Sequence, residues 1–216
     1  MGFVLRNDDV QWHFKNHGVF DAIKGGIDSF AFKLSLDTFV REAVQNINDA
    51  RVDLNNPAEA QFILEDFSGK NLDELLNLIG WSNGLEEHLK GVADGKSHQK
   101  DSAQKALDAV AAKSVRVLTI VDSGTCGLTG EETGDSGNFA MLCRNVLVTD
   151  EESKAVRGGS FGIGKSVLWA FSSASTVLFS SIPLEKTGPS LLRFIGRAYF
   201  PSHYVGLGSK RTHFVG

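Results

Sequence analysis

Three stretches of this sequence predict a chain of the α/β or α+β class. Leu36 to Val52 sets Phe39, Val40, Ala43, Val44, Ile47 and Ala50 at helical spacing. Val115 to Val121 is a near-continuous β-branched run, and Thr176–Ser181 with Ser190–Phe200 reads as two strands joined through Pro183, Gly188 and Pro189. With 216 residues and 42% hydrophobic content, the chain can bury a sizeable core as one domain, 1–216.

The helix of Leu36 to Val52 is expected to start from Asp37 as N-cap. Its Glu42, Asn46 and Asp49, spaced by four and then three, share one face that looks to solvent or to a ligand while the opposite stripe meets the core. Gln61 to Phe67 reads as a strand, and Asn71 opens a short helix over NLDELLNLIGW. Residues 84–104, with GVADGKSHQKDS, read as a polar, solvated insertion before a helix over Ala103 to Ala112. The run Val115 to Val121 predicts a buried strand that stops at Asp122-Ser123-Gly124. Residues 128–158, rich in Gly and acids around the island FAMLCRNVLV, read as a mobile cover rather than core. Val167 to Ser173 closes the list of helices.

Composition narrows the function classes. A formal charge of -4 gives no electrostatic support for nucleic acid or anionic lipid. Cys126 and Cys143 are too few for a disulfide scaffold and have no zinc spacing, which suits a reducing compartment. The N-terminus lacks the apolar core of a signal peptide and no apolar run is long enough for a membrane span, so the expected location is cytoplasmic. The six histidines are scattered and read as surface or structural, and Trp12, Trp81 and Trp169 read as core or interface anchors.

The chemistry concentrates in Gly158-Gly159-Ser160-Phe161-Gly162-Ile163-Gly164-Lys165-Ser166. From Gly159 it satisfies G-x-x-x-x-G-K-S, the P-loop spacing that cradles phosphates and places a hydroxyl on Mg²⁺. A P-loop needs a buried strand entering the turn, whereas Thr149 to Arg157 is too charged for one. The strand ending in an acid, Val115 to Asp122, precedes the loop instead of following it.

Glu42-Ala43-Val44-Gln45-Asn46-Ile47-Asn48-Asp49-Ala50, Asp122-Ser123-Gly124-Thr125-Cys126-Gly127 and Gly159-Ser160-Phe161-Gly162-Ile163-Gly164 stand in series. In their order and spacing the chain resembles the GHKL, or Bergerat-fold, ATPases, the family of Hsp90, MutL, type II topoisomerases and MORC proteins. The second box carries one residue more before its last glycine than the family's D-x-G-x-G. The resemblance implies a two-layer sandwich: a mixed, largely antiparallel sheet with helices on one face and ATP between the layers. It implies Glu42 as the catalytic general base, Asn46 as the Mg²⁺ ligand, and Asp49 beside the adenine or a bound water. Asp122 would accept from the adenine amino group, with Gly124 and Gly127 giving the backbone close approach. Ser160, Phe161, Gly162, Ile163, Gly164, Lys165 and Ser166 would wrap the triphosphate at a helix start. The cofactors implied are ATP and Mg²⁺, with slow hydrolysis and closure of a lid over 128–158. The partners implied are a following domain, which makes this the N-terminal part of a longer protein, and an ATP-dependent homodimer. A P-loop NTPase and a noncatalytic nucleotide-binding module are the alternatives.

Overall fold

The computed structural model describes residues 10–14, 35–53, 55–131, 137–144, 163–184, 192–206 and 212–214. Helix α1 spans Leu36–Asp49, and its N-cap is Ser35, whose hydroxyl accepts from Thr38 N–H at 3.1 Å. Asp37, the expected cap, lies inside the first turn, where its charge still complements the helix dipole. The helix stops short of Val52 because the backbone there is recruited elsewhere: Val52 N–H donates to Gly124 O at 3.1 Å.

Strand β1 (Glu59–Ser68) pairs antiparallel with β2 (Ser114–Ser123), in register from Glu59↔Ser123 to Ser68↔Ser114. The expectation of a buried β2 fails, since Leu118 is 42% and Val121 44% exposed. β-Branched side chains favour a pleated strand whether or not it is covered, so the run revealed the strand but not its burial. Between these strands lie α2 (Gly69–Leu78), a kinked connection (Trp81–Leu85) in which Asn83 and Gly84 leave helical geometry, α3 (Glu86–Ala93) and α4 (Lys100–Ala111). The supposed solvated insertion nevertheless contributes to the core: its Leu85, Leu89, Val92, Ala93 and Ala103 form one buried cluster with Trp81 and Phe200. Gly91 and His88 hid α3 by interrupting its apolar pattern. Gly91 is needed because a Cβ there would collide with the Tyr204 carbonyl oxygen.

A π-helical turn, Ala140–Arg144, belongs to the segment read as a mobile cover. Phe139, Ala140 and Cys143 are buried, so this part of it is core. Helix α5 (Ile163–Ala170) leads into β3 (Thr176–Ser181), which pairs antiparallel with β4 (Arg193–Ala198) as the hairpin reading expects. The fully buried Trp169 anchors α5 on this pair, its Nε1 donating to Arg197 O at 2.8 Å. Strands β5 (His203–Val205) and β6 (Thr212–Phe214) form a third antiparallel pair. The described strands thus make three two-stranded ribbons in an α+β chain, not one mixed sheet. No described helix is long and apolar enough to cross a membrane.

β5 is fastened to α3 by two buried histidines. His203 Nδ1 lies 2.8 Å from the Pro201 carbonyl, which only accepts, so that nitrogen carries the proton. In the neutral ring His203 Nε2 is then the acceptor, and His88 Nδ1 donates to it across 2.8 Å. Phe14 stacks on His88 at a centroid distance of 3.6 Å, while Phe214 meets it edge-on at 4.4 Å. Burial, reinforced by the charge His203 can acquire, pushes His88 down to about 4, and burial likewise lowers His203. Between pH 6.5 and 4 the unfolded chain therefore takes up the His88 proton more readily than the folded one, and stability falls as pH falls through that window. The urea midpoint should decline over this range, and His88→Asn should flatten the decline. Identical slopes for the two proteins would refute the assignment.

Candidate functional site

Helix α1 half-buries two of its polar residues, Glu42 and Asn46, while several of its apolar ones stay exposed. Phe39 and Ala43 are buried and Glu42, Asn46 and Ile47 half-buried, whereas Leu36, Val40 and Val44 are exposed. For an isolated amphipathic helix the valines would be the buried stripe. Here α1 packs on α5, with the Phe39 and Phe171 rings 4.5 Å apart, and that contact brings the neighbouring Glu42 and Asn46 to the inner side. Glu42 Oε1 lies 3.6 Å from Arg41 Nη2, a loose pair that leaves the carboxylate available. Asp49 is exposed, so the predicted triad separates into an inward pair and an outward third member. A groove of about 670 Å³ runs along the outer face of α1, past Leu36, Val40 and Val44, and includes none of the three.

The end of α1 is stitched to the turn that holds Asp122. Val52 N–H donates to Gly124 O, Cys126 N–H donates to Ala50 O at 2.8 Å, and Arg51 forms a bridge with Thr125. Asp122, opposite Ala60 in the β1–β2 register, is exposed rather than at the end of a buried strand. Its Oδ2 accepts from Thr125 Oγ1 at 2.5 Å, which leaves Oδ1 free to meet an external donor. Gly124 has φ of 74°, and a Cβ there would lie 3.2 Å from Pro57 O, so the tight turn requires glycine.

Gly127, with φ of 65°, faces the end of β3, where a Cβ would fall 2.7 Å from Ser181 Oγ and 3.2 Å from Pro183 Cα. Its close approach is thus to the protein's own backbone. Leu128 N–H donates to Ser181 Oγ at 3.0 Å and Leu184 N–H to Cys126 O at 2.9 Å, so the extra residue of the second box lets the turn reach β3.

Of the glycine box, Ser160, Phe161 and Gly162 lie outside the described residues. α5 begins at Ile163, and Ile163, Gly164 and Lys165 form its first turn, whose backbone N–H groups have no partner within the helix. Ser166 follows, 1% exposed. The box therefore does end at a helix start, and that helix is the one packed on α1.

Two contributors escape sequence reasoning. Arg51 sits where α1 meets the Asp122 turn with its Nε buried and without a hydrogen-bond partner. Its only sequence signal is its place directly after Asp49-Ala50. Arg193, on β4, donates through Nη1 to both Leu128 O and Gly130 O at 2.6 Å, a long-range link that no local pattern reveals. Neither cysteine is in a disulfide, and no group of three or more His, Cys, Asp or Glu gathers as a metal site among the described residues. An Asn ligand supplemented by phosphate oxygens and waters does not require such a group. Comparison with known proteins finds no matching family model, curated protein or solved structure.

Proposed function

We propose that this chain binds Mg·ATP and hydrolyses it slowly, in the manner of the GHKL ATPases its three boxes resemble. The observation that carries this reading is the inward placement of Glu42 and Asn46 on a helix whose end is hydrogen-bonded to the Asp122 turn. One rigid unit thereby holds a carboxylate base, a neutral amide oxygen and a base-reading acid. Glu42 and Asp122 sit at opposite ends of it, and from Glu42 to the end of α1 is about 10 Å along the axis.

Glu42 accepts a proton from the attacking water, or orients it, and half-burial strengthens its hydrogen bond to that water. Asn46, one turn further on, offers its amide oxygen to the metal without adding charge beside the phosphates. Bound Mg²⁺ supplies neutralisation of the charge that develops on the transferred phosphoryl group. Asp122 Oδ1 accepts from the exocyclic amino group of adenine, a donor that guanine replaces with a carbonyl. The first turn of α5 directs backbone N–H groups at the phosphates. On the same reading, nucleotide occupancy alters docking to a following domain or a second copy by favouring one of two conformations.

The P-loop alternative shares the phosphate contact but needs the Ser166 hydroxyl on the metal, and its 1% exposure argues against that. Calorimetry separates the readings. Mg·ATP should bind the chain, and Asn46→Ala should remove most of the Mg²⁺ dependence of that binding. Lys165→Ala should weaken binding only a few-fold. Complete loss in Lys165→Ala with an unchanged Asn46→Ala would favour the P-loop, and no binding by the parent chain would favour a module without nucleotide.

A further inference from the structure

Every carbonyl of residues 126–130, the turn that begins within the Asp122 box, is held by the protein. Leu184 N–H takes Cys126 O, Thr129 N–H and Asn138 Nδ2 take Gly127 O, and Phe139 N–H takes Thr129 O. Arg193 Nη1 takes the remaining two, Leu128 O and Gly130 O, at 2.6 Å each. The Arg193 guanidinium also lies 5.7 Å from the centroid of the Phe139 ring, within cation–π range. Asn138 Nδ2 adds a contact to Cys126 Sγ at 3.1 Å. There is no slack: a Cβ on Gly137 would stand 2.8 Å from Gly130 Cα.

Asp122, by contrast, is exposed, and its carboxylate is held by Thr125, one residue before this turn. The direction of its free carboxylate oxygen is therefore inherited from the turn. We propose that Arg193 is a positioning residue that sets base selectivity, holding the 126–130 turn, and through Thr125 the Asp122 carboxylate, in the geometry that reads the amino group of an adenine-type base. The inference rests on the nucleotide-binding reading above. A guanidinium is suited to the task because it is permanently charged and its fork is planar, so two carbonyls can share one nitrogen in a fixed direction. Removing it leaves two half-buried carbonyls without their donor and allows the turn to drift. Discrimination between an amino and a carbonyl group on a base depends on one well-aimed acceptor, so drift erodes selectivity more than it erodes contact with the phosphates.

The test is calorimetric binding of ATP and GTP, each with Mg²⁺, to the parent chain, R193A, R193K, N138A and the core variant W81F, all checked for folding by circular dichroism. Arg193→Ala should weaken ATP binding by roughly tenfold or more and bring the ATP-to-GTP affinity ratio towards one. Arg193→Lys, which can still donate to the carbonyls, should restore most of the ratio, and Trp81→Phe, which perturbs the α2–α4 core without touching the 126–130 turn's hydrogen bonds, should leave it unchanged. If R193A does not fold, N138A carries the same expectation from the other side of the turn. A parent chain that prefers ATP while R193A and N138A keep the same preference overturns the inference alone. An equal loss in W81F overturns it too, as a general effect of instability. A parent chain that binds neither nucleotide overturns the nucleotide reading and this inference with it.

Discussion

Glu42→Gln should leave Mg·ATP affinity within a few-fold of the parent while slowing hydrolysis by about 10²- to 10⁴-fold, the range a general base contributes. Glutamine keeps the shape and the hydrogen-bonding reach but cannot take a proton at neutral pH. The fold should tolerate it: Glu42 is half-buried on α1 and its ion pair with Arg41 is a loose 3.6 Å contact. Single-turnover phosphate release is the right measurement, because slow product release can mask the chemical step in steady state. Undiminished turnover in Glu42→Gln would remove this residue from the mechanism, and a parallel loss of binding would make its role structural.

Asp122→Ala should act on recognition instead, lowering ATP affinity by about 100-fold or more and removing the preference over GTP. A site built to accept one hydrogen bond loses far more than a methylene's worth of discrimination when the acceptor goes. The substitution leaves Thr125 without its acceptor at an exposed position, so stability should move little. Calorimetry with both nucleotides reads the effect directly. Unaltered affinity and preference would assign base recognition to some other group, and with it would fall the positioning role of Arg193.

What could be read in advance follows the range of the interactions concerned. α1, the two strands of the β3–β4 hairpin and the strand identity of β1 and β2 are legible because local period and β-branching encode them. Burial is not local. The same run that announces β2 does not say that only β1 pairs with it among the described strands, and the valines of α1 do not say that they will face outward. α3 was hidden because Gly91 exists for the approach of β5 and His88 for a partner 115 positions away, so both look like loop residues out of context. The island around Phe139 reads as part of a cover because of its Gly- and acid-rich flanks, whereas it is fixed to the 126–130 turn by Asn138 and Arg193. For the candidate site, the helix carrying Glu42 and Asn46 and the turn carrying Asp122 were legible as boxes. Their joining through Val52, Cys126 and the Arg51–Thr125 bridge was not, since that contact spans more than seventy residues of chain.

The central claim is that α1 and the Asp122 turn form one nucleotide-reading unit. A structure of the chain with Mg²⁺ and a non-hydrolysable ATP analogue tests it most directly. The expected arrangement places the adenine amino group on the Asp122 carboxylate, the metal on the Asn46 amide oxygen, and a water between Glu42 and the terminal phosphate. A triphosphate held by Lys165 and Ser166, with its base remote from Asp122 and its metal remote from Asn46, would contradict it.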